Sequence, residues 1–236
     1  MLIDLIAGAR PNFMKIAPII QAMEARTTKG GGLRYRLIHT GQHYDARMSD
    51  AFFEQLGIPE PDVNLEVGSG TQAEQTAAIM VCYEKVLLEK PSQLCLVVGD
   101  VTSTMACAIT ARKLSIPVAH VEGGIRSGDW TMPEEINRMV TDSITTWFFT
   151  TSETANENLR CSGVEEGRMF FVGNTMIDTL LTHMDRFRRP SFWDECQLKT
   201  GGYFVTTLHR PSNVDDFAKL EAVLCTLGEA ARGMPV

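Results

Sequence analysis

The chain has 236 residues, of which 44% are hydrophobic and 22% charged, and its formal net charge at pH 7 is −7. This length and composition predict a globular fold with a substantial core, and the negative charge disfavours nucleic acid as a partner. No apolar run is long enough to span a membrane, and the first residues do not resemble a secretory signal. The six cysteines form no CxxC pair and no His/Cys cluster, which predicts reduced thiols in a cytoplasmic protein and no metal site.

Short apolar runs alternate with helical stretches along the first 172 residues, as is typical of a parallel α/β sheet. The run at 93–98 is continuously apolar, as expected of a central strand buried on both faces. Residues 1–172 are therefore predicted to form a doubly wound, Rossmann-like domain. The predicted strands are 2–7, 35–40, 93–98, 117–121, 146–151 and 168–172, and the predicted helices are 13–26, 48–56, 71–89, 103–114, 134–145 and 153–160.

Residues 173–236 are predicted to begin a second domain. A helix is expected at 176–187, a strand at 203–208 and a last helix at 215–231, which leads into Gly-Met-Pro-Val. Such an ending is typical of the start of another βα unit, so we expect this domain to be truncated. A single strand lacks the neighbours that satisfy its backbone groups.

Polar side chains follow the predicted strands, and ligands of open α/β sheets bind outside the carboxyl ends of the strands. After the first strand, Gly8 opens a turn into a helix, with Arg10 and Lys15 as cations that could hold phosphate. A plain turn with solvated cations fits equally well. After the second strand, Gln42 and His43 could contact a sugar or nucleotide, or could simply be exposed to solvent.

Two carboxylates follow the central strands. Asp100 comes after the strand at 93–98 and is either an acid/base group or the N-cap of the next helix. Glu122 comes directly after the strand at 117–121, where it suits general acid/base chemistry. The alternative for Glu122 is a salt bridge to Arg126.

The segment Pro133-Glu134-Glu135-Ile136-Asn137-Arg138 follows shortly after Glu122. Proline at the first helical position, Glu in the first turn and a Glu134–Arg138 pair are ordinary features of a helix start. With Glu122 and Arg126, however, the segment brings three carboxylates and two arginines to one loop-to-helix passage. Carboxylates beside fixed cations are what proton transfer on an anionic substrate requires.

Seven motifs, in this order and spread from residue 2 to the end, resemble the non-hydrolysing UDP-N-acetylglucosamine 2-epimerase family. The resemblance implies a glycosyltransferase-B-like pair of Rossmann-like domains, with the second, UDP-binding domain incomplete in residues 173–236. Gly123 stands where Ala is usual in the family, a change expected to be mild. The motifs are Gly8-Ala9-Arg10-Pro11…Lys15, Thr40-Gly41-Gln42-His43-Tyr44, Val98-Gly99-Asp100-Val101-Thr102-Ser103, His120-Val121-Glu122-Gly123-Gly124-Ile125-Arg126-Ser127, Pro133-Glu134-Glu135-Ile136-Asn137-Arg138, Val172-Gly173-Asn174-Thr175 and His209-Arg210-Pro211-Ser212-Asn213.

The resemblance implies an activity that inverts C2 of UDP-GlcNAc to give UDP-ManNAc, a precursor of cell-surface polysaccharides. UDP is eliminated to a 2-acetamidoglucal and added back, without cofactor or metal, and a homodimer is expected. Because C2–H is not next to a carbonyl, C1–O cleavage must lead, and inversion needs proton donors and acceptors on both faces of C2. The resemblance assigns catalysis to Asp100, Glu122, Glu134, His209 and Arg138, with Arg138 orienting the carboxylates, and substrate binding to Arg10, Lys15, Gln42, His43, Arg126, Glu135, Arg210 and Asn213. Arg10, Lys15, His209 and Arg210 are the expected diphosphate ligands.

Other functions fit the same motifs. The substrate could be another UDP-2-acetamido sugar, such as a diacetamido uronic acid, or the enzyme could hydrolyse UDP-GlcNAc and release ManNAc and UDP. A glycosyltransferase of related fold would have less use for three clustered carboxylates. Since one wall of the cleft is expected to be missing, the 236-residue chain alone is expected to fold but to be inactive.

Overall fold

The structure is a computed structural model that describes residues 1–28, 32–41, 53–208 and 211–236. Its centre is a parallel sheet of seven strands: β1 (Leu2–Ala7), β2 (Arg34–His39), β3 (Val63–Asn64), β4 (Leu94–Val98), β5 (Val118–Val121), β6 (Trp147–Thr150) and β7 (Met169–Phe171). The strand order is β3-β2-β1-β4-β5-β6-β7. The predicted Rossmann-like sheet is therefore confirmed, and its strands lie within a residue or two of the predicted positions. The two-residue strand β3 was not predicted.

Helices cover both faces of the sheet, as a doubly wound fold requires. On one face, Ile16 and Ile20 of the first helix pack against Leu5 and Leu37 of β1 and β2. On the other face, a second apolar cluster joins the next two helices to the sheet. The helices with both ends in the described residues are α1 (Arg10–Thr28), α2 (Gln72–Glu89), α3 (Thr102–Lys113), α4 (Pro133–Ile144), α5 (Glu153–Cys161), α6 (Thr175–His183), α7 (Phe192–Glu195), α8 (Pro211–Val214) and α9 (Phe217–Ala230). Residues 53–56 are also helical, and the rest of the helix predicted at 48–56 lies outside the described residues. None of the helices in the described ranges combines the length and hydropathy needed to cross a lipid bilayer.

Local sequence explains where several helices begin. Thr71 and Glu74 form a reciprocal capping box at the start of α2, so two backbone donors that the helix leaves open are satisfied. Ser152 accepts a hydrogen bond from the Ala155 N–H at the start of α5. Pro133 occupies the first turn of α4, where its missing N–H costs nothing.

A buried ion pair stabilises the centre of the sheet and was not predicted. Arg36 on β2 donates two hydrogen bonds of 2.8 Å to the Asp4 carboxylate on β1. The Tyr83 hydroxyl on α2 donates a third, of 2.9 Å, to the same carboxylate. Because the Asp4 side chain is fully buried, these donors replace the water that it would otherwise bind.

The chain separates into two compact units, Met1–Met184 and Asp185–Val236. Helix α6 belongs to the first unit, because it packs on α1 and the Thr179 hydroxyl donates a 2.6 Å hydrogen bond to the Met14 carbonyl. The predicted domain boundary, after residue 172, lies before this helix, and the boundary in the whole protein stays a prediction.

The strand predicted at 203–208 is wrong. These residues have no regular secondary structure, although the Phe204 N–H donates a 2.8 Å hydrogen bond to the Pro235 carbonyl. The described residues of the second unit contain no strand. An extended run therefore has no ladder to join there, whatever its intrinsic β propensity.

Candidate active site

The end of β5 places Glu122 next to Lys15. The Glu122 Oε2 atom lies 2.5 Å from the Lys15 Nζ atom, and the two side chains are 9% and 12% exposed. Glu122 has a φ of 71°, a left-handed conformation that is uncommon for a residue with a side chain and is often found at functional sites. The alternative salt bridge from Glu122 to Arg126 is not formed, since Lys15 takes that place.

Gly99 allows the end of β4 to approach this ion pair. Its φ is 71°, and a Cβ atom at this position would stand 3.0 Å from Lys15 Nζ and 3.8 Å from Glu122 Oε2. Asn12 holds the same strand end, since its side-chain amide donates a 2.9 Å hydrogen bond to the Val98 carbonyl. The chain then continues directly into Asp100, so the carboxylates that follow β4 and β5 share one edge of the sheet.

Asp100 is held by α4. Arg138 Nη2 lies 2.6 Å from Asp100 Oδ2, and the Asn137 side-chain amide donates a 2.8 Å hydrogen bond to the Asp100 carbonyl. The Asp100 side chain is still 29% exposed. Asp100 does not cap the following helix, because Val101 occupies the N-cap position without a side-chain cap. The contact with Arg138 is the one expected of a residue that orients the carboxylate, a role that stays a prediction.

The adjacent residues Glu134 and Glu135 differ sharply. The Glu135 carboxylate is 3% exposed and accepts hydrogen bonds from the Ser127 N–H and hydroxyl, the Gly128 N–H and Arg138. Burial alone would raise the pKa of Glu135, but these donors lower it to about 2. Both oxygens of this carboxylate therefore accept hydrogen bonds from the protein itself. The geometry gives no support to the prediction that Glu135 binds substrate.

Glu134, by contrast, is half-buried, and the described part of the chain offers its carboxylate no hydrogen bond or salt bridge. The expected Glu134–Arg138 pair is not formed, because Arg138 contacts Asp100 and Glu135 instead. Glu134 is thus the carboxylate on α4 that is left available for a ligand.

A buried group of hydrogen-bonded polar residues lies beneath these loops and was not predicted from the sequence. His120 Nδ1 lies 2.7 Å from Asp142 Oδ1, and His120 Nε2 lies 2.8 Å from the Gly99 carbonyl oxygen. Asp142 Oδ2 accepts hydrogen bonds from the Gly124 N–H and from Arg126, at 3.0 and 2.6 Å. The available signal was a histidine inside an apolar strand, because a buried polar side chain needs a partner. Arg126, predicted to bind substrate, donates a hydrogen bond to Asp142 in this buried group of polar residues.

The surroundings of Gly123 leave little room for a side chain, and the expectation that this departure from the family pattern is mild stays a prediction. A Cβ atom at this position would stand 2.8 Å from Phe148 Cδ1 and 3.4 Å from both Asp142 Oδ1 and His120 Nδ1. Phe148 is fully buried, so its ring has little room to move. The Phe148 ring therefore occupies space that a side chain at position 123 would need.

Several predicted site residues cannot be placed. Gln42, His43, His209 and Arg210 lie outside the described residues, and so does the side chain of Arg10, whose backbone begins α1. Asn213 is half-buried in α8, in the second unit. In the described part of the chain, no group of three or more His, Cys, Asp and Glu side chains could hold a metal ion.

Comparisons with known proteins identify the family. A family model for UDP-N-acetylglucosamine 2-epimerase matches residues 25–236. The chain is 40% identical over 228 residues to the UDP-N-acetylglucosamine 2-epimerase of Methanocaldococcus jannaschii, which covers 95% of this chain and 61% of the relative. It is 38% identical over 226 residues to the UDP-2,3-diacetamido-2,3-dideoxy-D-glucuronate 2-epimerase of Pseudomonas aeruginosa, with 95% of this chain and 62% of the relative covered.

Solved structures give the same result. The crystal structure of the M. jannaschii UDP-GlcNAc 2-epimerase with UDP-GlcNAc and UDP matches with a TM-score of 0.82, at 40% identity, over 97% of this chain and 62% of that one. The UDP-N-acetylglucosamine 2-epimerase from Rickettsia bellii matches with a TM-score of 0.84, at 27% identity, over 100% and 61%. The chain thus spans about three fifths of the length of these relatives.

Proposed function

Because the chain belongs to the UDP-N-acetylglucosamine 2-epimerase family, we propose that the whole protein interconverts UDP-GlcNAc and UDP-ManNAc. The observation that carries this proposal is the pair of carboxylates at the ends of adjacent strands, each beside its own cation. Glu122 contacts Lys15, and Asp100 contacts Arg138. The cations offset charge that would otherwise repel an anionic UDP-sugar.

The proposed reaction begins with cleavage of the C1–O bond. UDP leaves with the electron pair of that bond, one carboxylate takes the proton from C2, and the C1=C2 double bond of a 2-acetamidoglucal forms. In the return step, a protonated carboxyl on the opposite face gives its proton to C2. The diphosphate oxygen of UDP then bonds to C1 again.

The residue roles in this reaction are also proposals. Asp100, Glu122 and Glu134 supply the acid/base groups, and Arg138 orients Asp100. Lys15 has three N–H donors, so it can contact both Glu122 and the diphosphate. Arg10, His209 and Arg210 are proposed as the other diphosphate ligands.

The proposal extends to a non-hydrolysing enzyme that acts as a cytoplasmic homodimer without cofactor, with its UDP-sugar in the cleft of a glycosyltransferase-B-like domain pair. A second substrate, a UDP-2,3-diacetamido uronic acid, is favoured by the P. aeruginosa relative, which is 38% identical. A hydrolysing enzyme would differ by releasing ManNAc and UDP.

The test is to incubate the full-length protein with each sugar in D₂O. We expect deuterium at C2 of both epimers, UDP-linked products and no free ManNAc. Free ManNAc in step with turnover would favour the hydrolysing alternative, and absence of exchange with both sugars would contradict the proposal. Residues 1–236 alone, assayed in parallel, are expected to show no exchange.

A further inference from the structure

His120 occupies an unusual position for a histidine of the candidate site. Its side chain is 1% exposed, and both ring nitrogens are used inside the protein. Nε2 contacts the Gly99 carbonyl at 2.8 Å and Nδ1 contacts the Asp142 carboxylate at 2.7 Å. His120 therefore cannot reach a substrate through either nitrogen, and any effect on the reaction passes through its two partners.

The partners determine where the imidazole protons lie. The Gly99 carbonyl can only accept a hydrogen bond, so Nε2 must carry a proton. Burial by itself raises the pKa of Asp142, but the hydrogen bonds and charges of His120 and Arg126 bring this pKa below its ordinary value. The other ring nitrogen, Nδ1, faces the Asp142 carboxylate.

These contacts tie together the two strand ends that carry the carboxylates. Gly99 immediately precedes Asp100, and its N–H donates a 3.0 Å hydrogen bond to the Val121 carbonyl. Glu122 follows Val121, and its N–H donates a 2.9 Å hydrogen bond to the Phe149 carbonyl of β6. His120, two residues before Glu122, thus contacts Gly99, the residue before Asp100.

We infer that His120 is a positioning residue for the reaction under Proposed function, on which this inference rests. Its Nε2–H fixes the backbone from which Asp100 projects, and Asp142 holds the imidazole ring in place. Arg126 and the Gly124 N–H complete the support by occupying the second oxygen of Asp142. The inference gives Arg126 a supporting role within the protein, in addition to its predicted role in binding substrate.

Substitutions at both ends of the contact separate positioning from charge. His120→Leu removes both ring nitrogens. We expect it to lower kcat of the full-length enzyme about tenfold to a hundredfold, as is usual when a residue that holds an active-site group in place is removed. KM is expected to change by less than about threefold, because His120 touches no substrate. Asp142→Asn can keep every hydrogen bond. Its amide N–H then donates to Nδ1, while its oxygen accepts from Gly124 and Arg126.

We therefore expect Asp142→Asn to retain kcat within about threefold of the parent enzyme, as a conservative variant should when geometry matters more than charge. Nitrogen-15 NMR of the imidazole rings shows directly which nitrogen of His120 carries a proton. We expect a proton on His120 Nε2 in both the parent protein and Asp142→Asn, because the Gly99 carbonyl can only accept a hydrogen bond. His183→Gln is the matched control, since the contact that the described residues give His183 Nδ1 is with the Thr179 carbonyl of its own helix.

Three results would overturn the inference: unchanged kcat in folded His120→Leu, equal losses in His120→Leu and Asp142→Asn, or a His120 Nε2 atom without a proton in the parent protein. If His120→Leu does not fold, the double variant His120→Leu/Asp142→Asn removes the carboxylate charge that then faces the leucine side chain and gives the same readout. If the parent enzyme turns over neither UDP-sugar, the proposed function fails and the positioning role fails with it, while the NMR spectra still show whether the His120 contacts exist.

Discussion

Two runs of this chain, 94–98 and 203–208, were both predicted to be strands and have different structures. The first is buried throughout, because β1 and β5 pair with it on either side. The second has no strand beside it, and Val205 is 78% exposed. The comparison shows that neighbours decide whether an apolar run becomes a strand. The paired strand presents its following residues, Gly99 and Asp100, to His120 and Arg138.

The largest effect is expected from removing the charge of the carboxylates that follow the paired strands. Asp100→Asn and Glu122→Gln should each lower C2 exchange by the full-length enzyme about 10²- to 10⁴-fold, the usual contribution of a general acid or base. Asp100 is 29% exposed, so the Tm of Asp100→Asn should change little. Glu122→Gln leaves the buried Lys15 ammonium without its charged partner and should also lower Tm. Near-parental exchange by both folded variants would refute their catalytic role.

The sequence predicts the paired region well because its signals are local. Continuous apolar runs and Pro133 at a helix start each identify an element without knowledge of its neighbours. The sequence also predicts that Asp100 and Glu122 lie at one edge of the sheet, since the carboxyl ends of parallel strands lie on the same side. The pairing of charges could not be predicted in this way. Lys15 is 107 positions from Glu122, and helix spacing favoured the wrong partner for Arg138.

Glu135→Gln tests whether the buried carboxylate stabilises the fold around this edge. Removing the charge should lower the free energy of unfolding by about 1.5–3 kcal/mol at pH 7, as expected for a hydrogen-bonded charged group. Because the folded pKa of about 2 lies below the unfolded value of about 4.3, the stabilisation is complete above that unfolded value. It is lost as the pH falls from there toward 2.

Denaturant titrations of both proteins across this pH range measure the difference. Glu134→Gln is the matched control, because the described residues give Glu134 no partner, and we expect a change within about 0.5 kcal/mol. A Glu135→Gln effect that did not diminish toward low pH would show that the charge is not the source of the stabilisation.

Gly123→Ala tests the tight packing beneath the same edge. The added Cβ would stand 2.8 Å from Phe148 Cδ1, so we expect a loss of about 1–3 kcal/mol from overpacking. Phe148→Leu in the same chain should recover part of this loss, and a double-mutant cycle measures the coupling. Gly167→Ala is the control, because a Cβ there meets no atom within 4 Å. Additive effects of Gly123→Ala and Phe148→Leu would contradict the proposed fit.

The smallest effect is expected in the unpaired run. Val205→Thr exchanges a methyl group for a hydroxyl at a site that is 78% exposed, so the free energy of unfolding should change by no more than about 0.5 kcal/mol. The same exchange at Val97, which is fully buried in β4, should cost about 1–3 kcal/mol because the new hydroxyl loses water. Denaturant titration of the two variants gives the direct comparison. A large loss from Val205→Thr would mean that residues 203–208 are buried in a strand after all.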